Sequence, residues 1–80
     1  MLIAMDAGNS RLKCAAFRGA SVVARAGVGS ADCENAHDVA ALVRSLADRA
    51  EGDLSGVRVA VASVVPRLTA IIEPAIAEVT

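Results

Sequence analysis

Eighty residues allow at most one small domain, which would bury only about 60–65% of its unfolded surface. The composition is 55% hydrophobic but 1% aromatic, so a core has to be assembled from Val, Leu, Ile and Ala around the single Phe17. A formal net charge of −1 without runs of like charge excludes the clustered basic excess of a nucleic-acid binder and any charged tail.

The apolar start, Met1 to Met5, has no basic flank and is cut off by Asp6. That is too short for a signal or membrane-spanning segment, so the expected location is the cytoplasm, with no membrane partner. Two cysteines far apart in sequence, Cys14 and Cys33, and a single histidine argue against a zinc site and for free thiols. Small core side chains bury little area each, so this piece is expected to lean on further sequence or a second subunit.

Leu2 to Met5 reads as a buried strand, followed by turn chemistry at Ala7-Gly8-Asn9-Ser10, where Gly and Asn are expected to supply positive φ. Arg11 to Phe17 is a second strand, with Leu12, Cys14 and Ala16 on one face and Lys13, Ala15 and Phe17 on the other. Arg18-Gly19-Ala20 is a tight turn. Ser21 to Ala26 is a third strand, with Val22, Ala24 and Ala26 sharing a face. The short connections imply an antiparallel meander.

Residues 27–34 read as a loop. A helix then starts from Asn35 as N-cap, with Asp38 in its first turn. Its apolar stripe is Val39, Leu42, Val43, Leu46, Ala47 and Ala50, and Gly52 is its stop signal. Val57 to Val65 is largely apolar and β-branched, interrupted only by Arg58 and Ser63, the mark of a strand buried on both faces over most of its length, and Pro66 suits the first turn of a second helix. That helix carries Leu68, Ile71, Ile72, Ala75, Ile76 and Val79. Pro74 implies either a kink or a break into two pieces. The order β-β-β-α-β-α places the fourth strand parallel to the first in a mixed α/β sheet.

The hairpin at Asp6 to Lys13 carries the candidate chemistry. Backbone N–H groups in a turn can form a concave anion site, and Gly8 lets a phosphate approach. Ser10 can add a hydroxyl and Lys13 a positive charge. Asp6 repels phosphate but can hold a hydrated Mg²⁺ that bridges to it. An ordinary β-turn uses the same residue types. The other features point to structure. Gly27-Val28-Gly29-Ser30 lacks the third glycine of a dinucleotide loop, and no P-loop exists. His37 has no partner nucleophile, and Asp32, Glu34 and Asp38 read as a solvated loop and helix cap. Ser63-Val64-Val65-Pro66 ends a strand, a position where ligands often sit in α/β sheets.

Two of these stretches together carry a resemblance. Asp6-Ala7-Gly8-Asn9-Ser10 with Lys13 resembles the D-x-G-N-[TS]-x-x-K phosphate motif of type III pantothenate kinases, and Ala62 to Pro66 resembles that family's S-V-V-P segment. The wording GNSRLK is similar to the family's Bvg accessory factor branch. The first motif is shared across the actin-like ATPase superfamily; the pair is more specific.

The resemblance implies a ribonuclease H-like fold and transfer of the ATP γ-phosphoryl group to pantothenate, the first step of coenzyme A synthesis. The cofactors would be ATP, Mg²⁺ and a monovalent cation, K⁺ or NH₄⁺, in a homodimer. The ATP-phosphate loop would comprise Asp6, Ala7, Gly8, Asn9, Ser10, Arg11, Leu12 and Lys13, with Asp6 as the magnesium residue. The family's G-x-D-R segment, which carries the catalytic base, is absent. The base, the second domain, the cation site and the adenine pocket would then lie beyond Thr80. Residues 1–80 would be a single partial domain, inactive by itself. The alternatives are a regulatory or structural protein with a vestigial hairpin, or another actin-like kinase acting on sugars or acetate.

Overall fold

A computed structural model describes residues 1–80. Its elements are β1 (Leu2–Ala7), β2 (Arg11–Arg18), β3 (Ser21–Gly29), a 3₁₀ turn (Ser30–Asp32), α1 (Ala36–Arg49), β4 (Arg58–Ser63) and α2 (Pro66–Val79). The sheet order is β3-β2-β1-β4. β1 to β3 form the antiparallel meander, and β4 pairs parallel to β1. The fold is therefore the expected mixed α/β arrangement, consistent with a partial ribonuclease H-like domain.

Alternation along the strands sends Ile3, Met5 and Ala7 of β1 and Leu12, Cys14 and Ala16 of β2 to one face. There they meet Val39, Val43 and Leu46 of α1 and Leu68, Ile72 and Ala75 of α2. Both helices pack on this face, so the other face of the sheet, with Ala4, Asp6, Lys13, Ala15 and Phe17, is left uncovered.

Local chemistry explains the ends of α1. The Asn35 side chain accepts from the Asp38 N–H at 3.0 Å, and the Asp38 carboxylate accepts from the Glu34 N–H at 2.9 Å. Two otherwise orphaned donors are thereby satisfied. At the other end, Glu51 and not Gly52 adopts the left-handed conformation, at φ 52°. The Glu51 N–H reaches Asp48 C=O at 3.1 Å and the Gly52 N–H reaches Ala47 C=O at 3.0 Å, a Schellman closure. A Cβ on Gly52 would come 2.8 Å from the Met1 sulfur, the end of a flexible side chain that can move aside.

Four expectations are corrected. First, neither Gly8 nor Asn9 has positive φ; only Gly19, Gly56 and Glu51 do. Gly19, at φ 62°, opens the two-residue β2–β3 turn as a type II′ turn requires.

Second, β3 runs on to Gly29, so Gly27 and Gly29 lie in a strand and not a loop. The Arg11 guanidinium occupies the space beside Gly27, and Asp32 Oδ2 that beside Gly29.

Third, the register shifts between Ala16 and Phe17, which pairs Ala16 with Ala24 but Phe17 with Val22. Val22 thus leaves the face of Ala24 and Ala26, because the extra residue of a bulge breaks the two-residue alternation.

Fourth, β4 is not buried on both faces. It is an edge strand; Arg58, Ala60, Val61 and Ala62 are exposed, since this chain supplies no neighbour on its outer side.

α2 passes through Pro74 as one helix. The carbonyl that loses its partner belongs to Ala70. Both residues lie on the exposed side, where water can satisfy that oxygen.

Candidate functional site

The parallel pairing of β1 and β4 brings their carboxyl ends together. Ala7 pairs with Ser63, and the Val64 N–H donates to the Ala7 carbonyl at 3.1 Å. The hairpin motif and the SVVP segment, 56 positions apart in sequence at the Ala7–Ser63 pair, are therefore neighbours. In open α/β sheets this end of the strands is where ligands bind.

Asp6 and Lys13 are directly opposed across β1 and β2 and both are exposed on the uncovered face. No ion pair joins them; Glu78 pairs with Arg44 (3.3 Å), and His37 Nδ1 lies 3.9 Å from the same carboxylate. Both charges are thus available to a ligand. An open depression of about 850 Å³ lies along the sheet, with Asp6, Arg11, Lys13, Phe17 and Arg25 in its lining.

The turn is tight. The Gly8 N–H donates to the Arg11 carbonyl at 2.9 Å, so this amide is committed inside the hairpin. The N–H groups of Asn9 and Ser10 make no intrachain hydrogen bond, and both residues are exposed. A Cβ on Gly8 would touch only the Arg11 carbonyl, at 3.4 Å. Its smallness therefore answers little inside the chain and leaves the turn open to an approaching group. Ala7 and Leu12 have no exposed surface; their side chains are core, and they frame the hairpin without facing a ligand. Asp6, Gly8, Asn9, Ser10, Arg11 and Lys13 make up its accessible part.

Sequence reasoning missed what holds the turn. Ser30 is the one buried polar side chain, 3% exposed, and its hydroxyl donates to the Gly8 carbonyl at 2.6 Å. Its N–H donates to the Ser10 carbonyl at 2.9 Å. Arg67, one residue after SVVP, donates to the carbonyls of Ser30 (2.8 Å) and Cys33 (2.6 Å). The only signal in the sequence was a hydroxyl side chain next to two glycines in a segment that reads as a loop, which is ordinary turn chemistry.

The remaining candidates are structural. Ser63 Oγ accepts from the Val65 N–H at 3.2 Å and the Thr69 hydroxyl at 2.7 Å, shaping the entry to α2. Asp38 serves the cap of α1, and no cluster of three or more His, Cys, Asp or Glu is placed to hold a metal ion. Cys14 and Cys33 are free thiols in the core. Burial pushes the Cys14 thiol up to about 11, with Arg49 opposing the rise, and burial raises Cys33 as well. Neither is a poised nucleophile. No helix is long and apolar enough to cross a membrane.

Comparison with protein families gives a match to the type III pantothenate kinase model over residues 2–80. No curated protein is a significant match. The chain belongs to the type III pantothenate kinase family, a family of kinases in coenzyme A biosynthesis.

Proposed function

We propose, from this family membership, that the intact protein transfers the γ-phosphoryl group of ATP to pantothenate and that residues 1–80 supply the ATP-phosphate side of its site. One observation carries the reading: Asp6 and Lys13 stand unpaired and opposed on one open face, beside a turn with two unpartnered amides. The Asn9 and Ser10 N–H groups and the Ser10 hydroxyl are donors for phosphate oxygens, and the mobile ammonium of Lys13 offsets their charge.

Asp6 is a lone carboxylate, which suits a hydrated Mg²⁺ held through its waters. The ion would neutralise charge that develops on the transferred group. Arg11 adds positive charge on the same face. Such a loop positions and neutralises, and these two effects carry most of the catalysis in phosphoryl transfer.

A general base for the pantothenate hydroxyl is missing from this constellation. The reading therefore assigns the base, the K⁺ or NH₄⁺ site and the adenine pocket to sequence outside residues 1–80. This chain is then the front part of the first of two ribonuclease H-like domains in a cytoplasmic homodimer.

The test is ATP-dependent phosphorylation of pantothenate by the intact protein. Asp6→Asn keeps the shape but weakens the metal ligand and should lower turnover about 100-fold, the usual scale for removing one charge-stabilising group. The isolated 80-residue chain should show no turnover. Undiminished activity of the Asp6→Asn protein would overturn the reading.

A further inference from the structure

The 3₁₀ turn after β3 spends both hydrogen-bond donors of its buried serine on the hairpin. Ser30 Oγ donates to the Gly8 carbonyl at 2.6 Å, and the Ser30 N–H donates to the Ser10 carbonyl at 2.9 Å. The chain contains no cis peptide bond. In a planar trans peptide the C=O and the N–H point in opposite directions. The Gly8 carbonyl and the Asn9 N–H belong to one such plane. Anchoring that carbonyl on Ser30 therefore turns the Asn9 N–H away from Ser30, where it has no intrachain partner.

The anchor is itself braced. Arg67 places one guanidinium nitrogen on the Ser30 carbonyl and another on the Cys33 carbonyl, at 2.8 and 2.6 Å. Charge-assisted bonds of this length hold more firmly than neutral ones. The brace comes from the first turn of α2, so the segment after SVVP controls a peptide plane in the β1–β2 turn.

We infer that Ser30, braced by Arg67, is the positioning residue of the phosphate hairpin: it sets the peptide plane whose amide meets the anion. The inference rests on the reading that this hairpin binds the phosphates of ATP. It predicts an effect confined to the nucleotide. Without the Ser30 hydroxyl the Gly8–Asn9 peptide can rotate, and the Asn9 N–H is no longer pre-aimed.

Steady-state kinetics of the intact protein test it, with Mg·ATP varied at saturating pantothenate and the reverse. Ser30→Ala should raise the KM for ATP about tenfold, the scale of one lost hydrogen bond to a buried acceptor. The KM for pantothenate should stay within about twofold, and Ser30→Thr, which keeps the hydroxyl, should restore nucleotide binding. Arg67→Met keeps the hydroxyl but removes its brace and should raise the ATP KM about threefold; it decides the matter if Ser30→Ala does not fold.

A merely structural role would lower kcat in proportion to folded protein and leave both KM values alone. That pattern in Ser30→Ala or Arg67→Met would overturn the inference. If Asp6→Asn is inactive while both variants keep the normal ATP KM, only the positioning role fails. If Asp6→Asn is fully active, the phosphate reading fails and this inference with it.

Discussion

At the scale of single residues, the hairpin divides by burial. Asp6 and Lys13 face solvent, whereas their neighbours Ala7 and Leu12 are sealed in the core. Adjacent positions therefore have different roles because a strand turns alternate side chains to opposite faces. The same alternation buries Cys14 and gives a pH prediction. Its folded value, about 11, lies above the 9.0 of an exposed thiol. The unfolded chain then loses this proton first, so stability is full below pH 9 and declines as pH rises towards 11. Urea midpoints measured from about pH 8 to about pH 11 should fall, and Cys14→Ala should lessen the decline; a part should persist because Cys33 shifts in the same direction. Parallel curves for the two proteins would show that the thiol does not carry this dependence.

At the scale of elements, most of the pattern could be read before the structure. The N-cap at Asn35, the apolar stripes of both helices and Pro66 at the start of α2 follow from local rules. Pro74 did not resolve locally, because propensity alone cannot say whether the helix ends there. Packing of Leu68, Ile72 and Ala75 on the core keeps α2 continuous and leaves Pro74 on the wet side. Pro74→Ala should restore the bond to the Ala70 carbonyl and stabilise the chain by about 1–3 kcal/mol. Chemical denaturation measures this; an unchanged or lower midpoint would show that the proline is matched to its place. β3 escaped local reading in a different way. Its two glycines look like a loop, and only the pairing of Gly27 with Lys13 and of Gly29 with Arg11 on β2 makes them strand.

At the scale of the whole molecule, the arrangement is a sheet with helices on one face only. The other face and the outer edge of β4 stay open, with Val61 45% and Val64 75% exposed. An apolar edge strand offers unpaired backbone groups to any other strand, and charge is the usual deterrent. The isolated chain should therefore self-associate as concentration rises. Val61→Lys should reduce light scattering while leaving the far-ultraviolet spectrum unchanged; equal scattering would place the sticky surface elsewhere. This openness accounts for the one large error about burial. The residues from Val57 to Val65 are those of a strand enclosed on both faces, but enclosure is supplied by neighbours, and composition does not say whether they are present.

The amino-acid sequence by itself determined the order of elements, the meander, the hairpin and its charged residues, and the family to which these belong. The elements and the hairpin are encoded in residues close together along the chain, through periodicity and turn chemistry, and the family in two short motifs, each local, taken together. The tertiary structure alone decided how the hairpin is held. Ser30 and Arg67 lie 22 and 37 positions from their targets and bind backbone carbonyls. Every residue carries a carbonyl, so no side-chain pattern marks those that will be gripped. Only the meeting of β1, the turn after β3 and the start of α2 in space selects them.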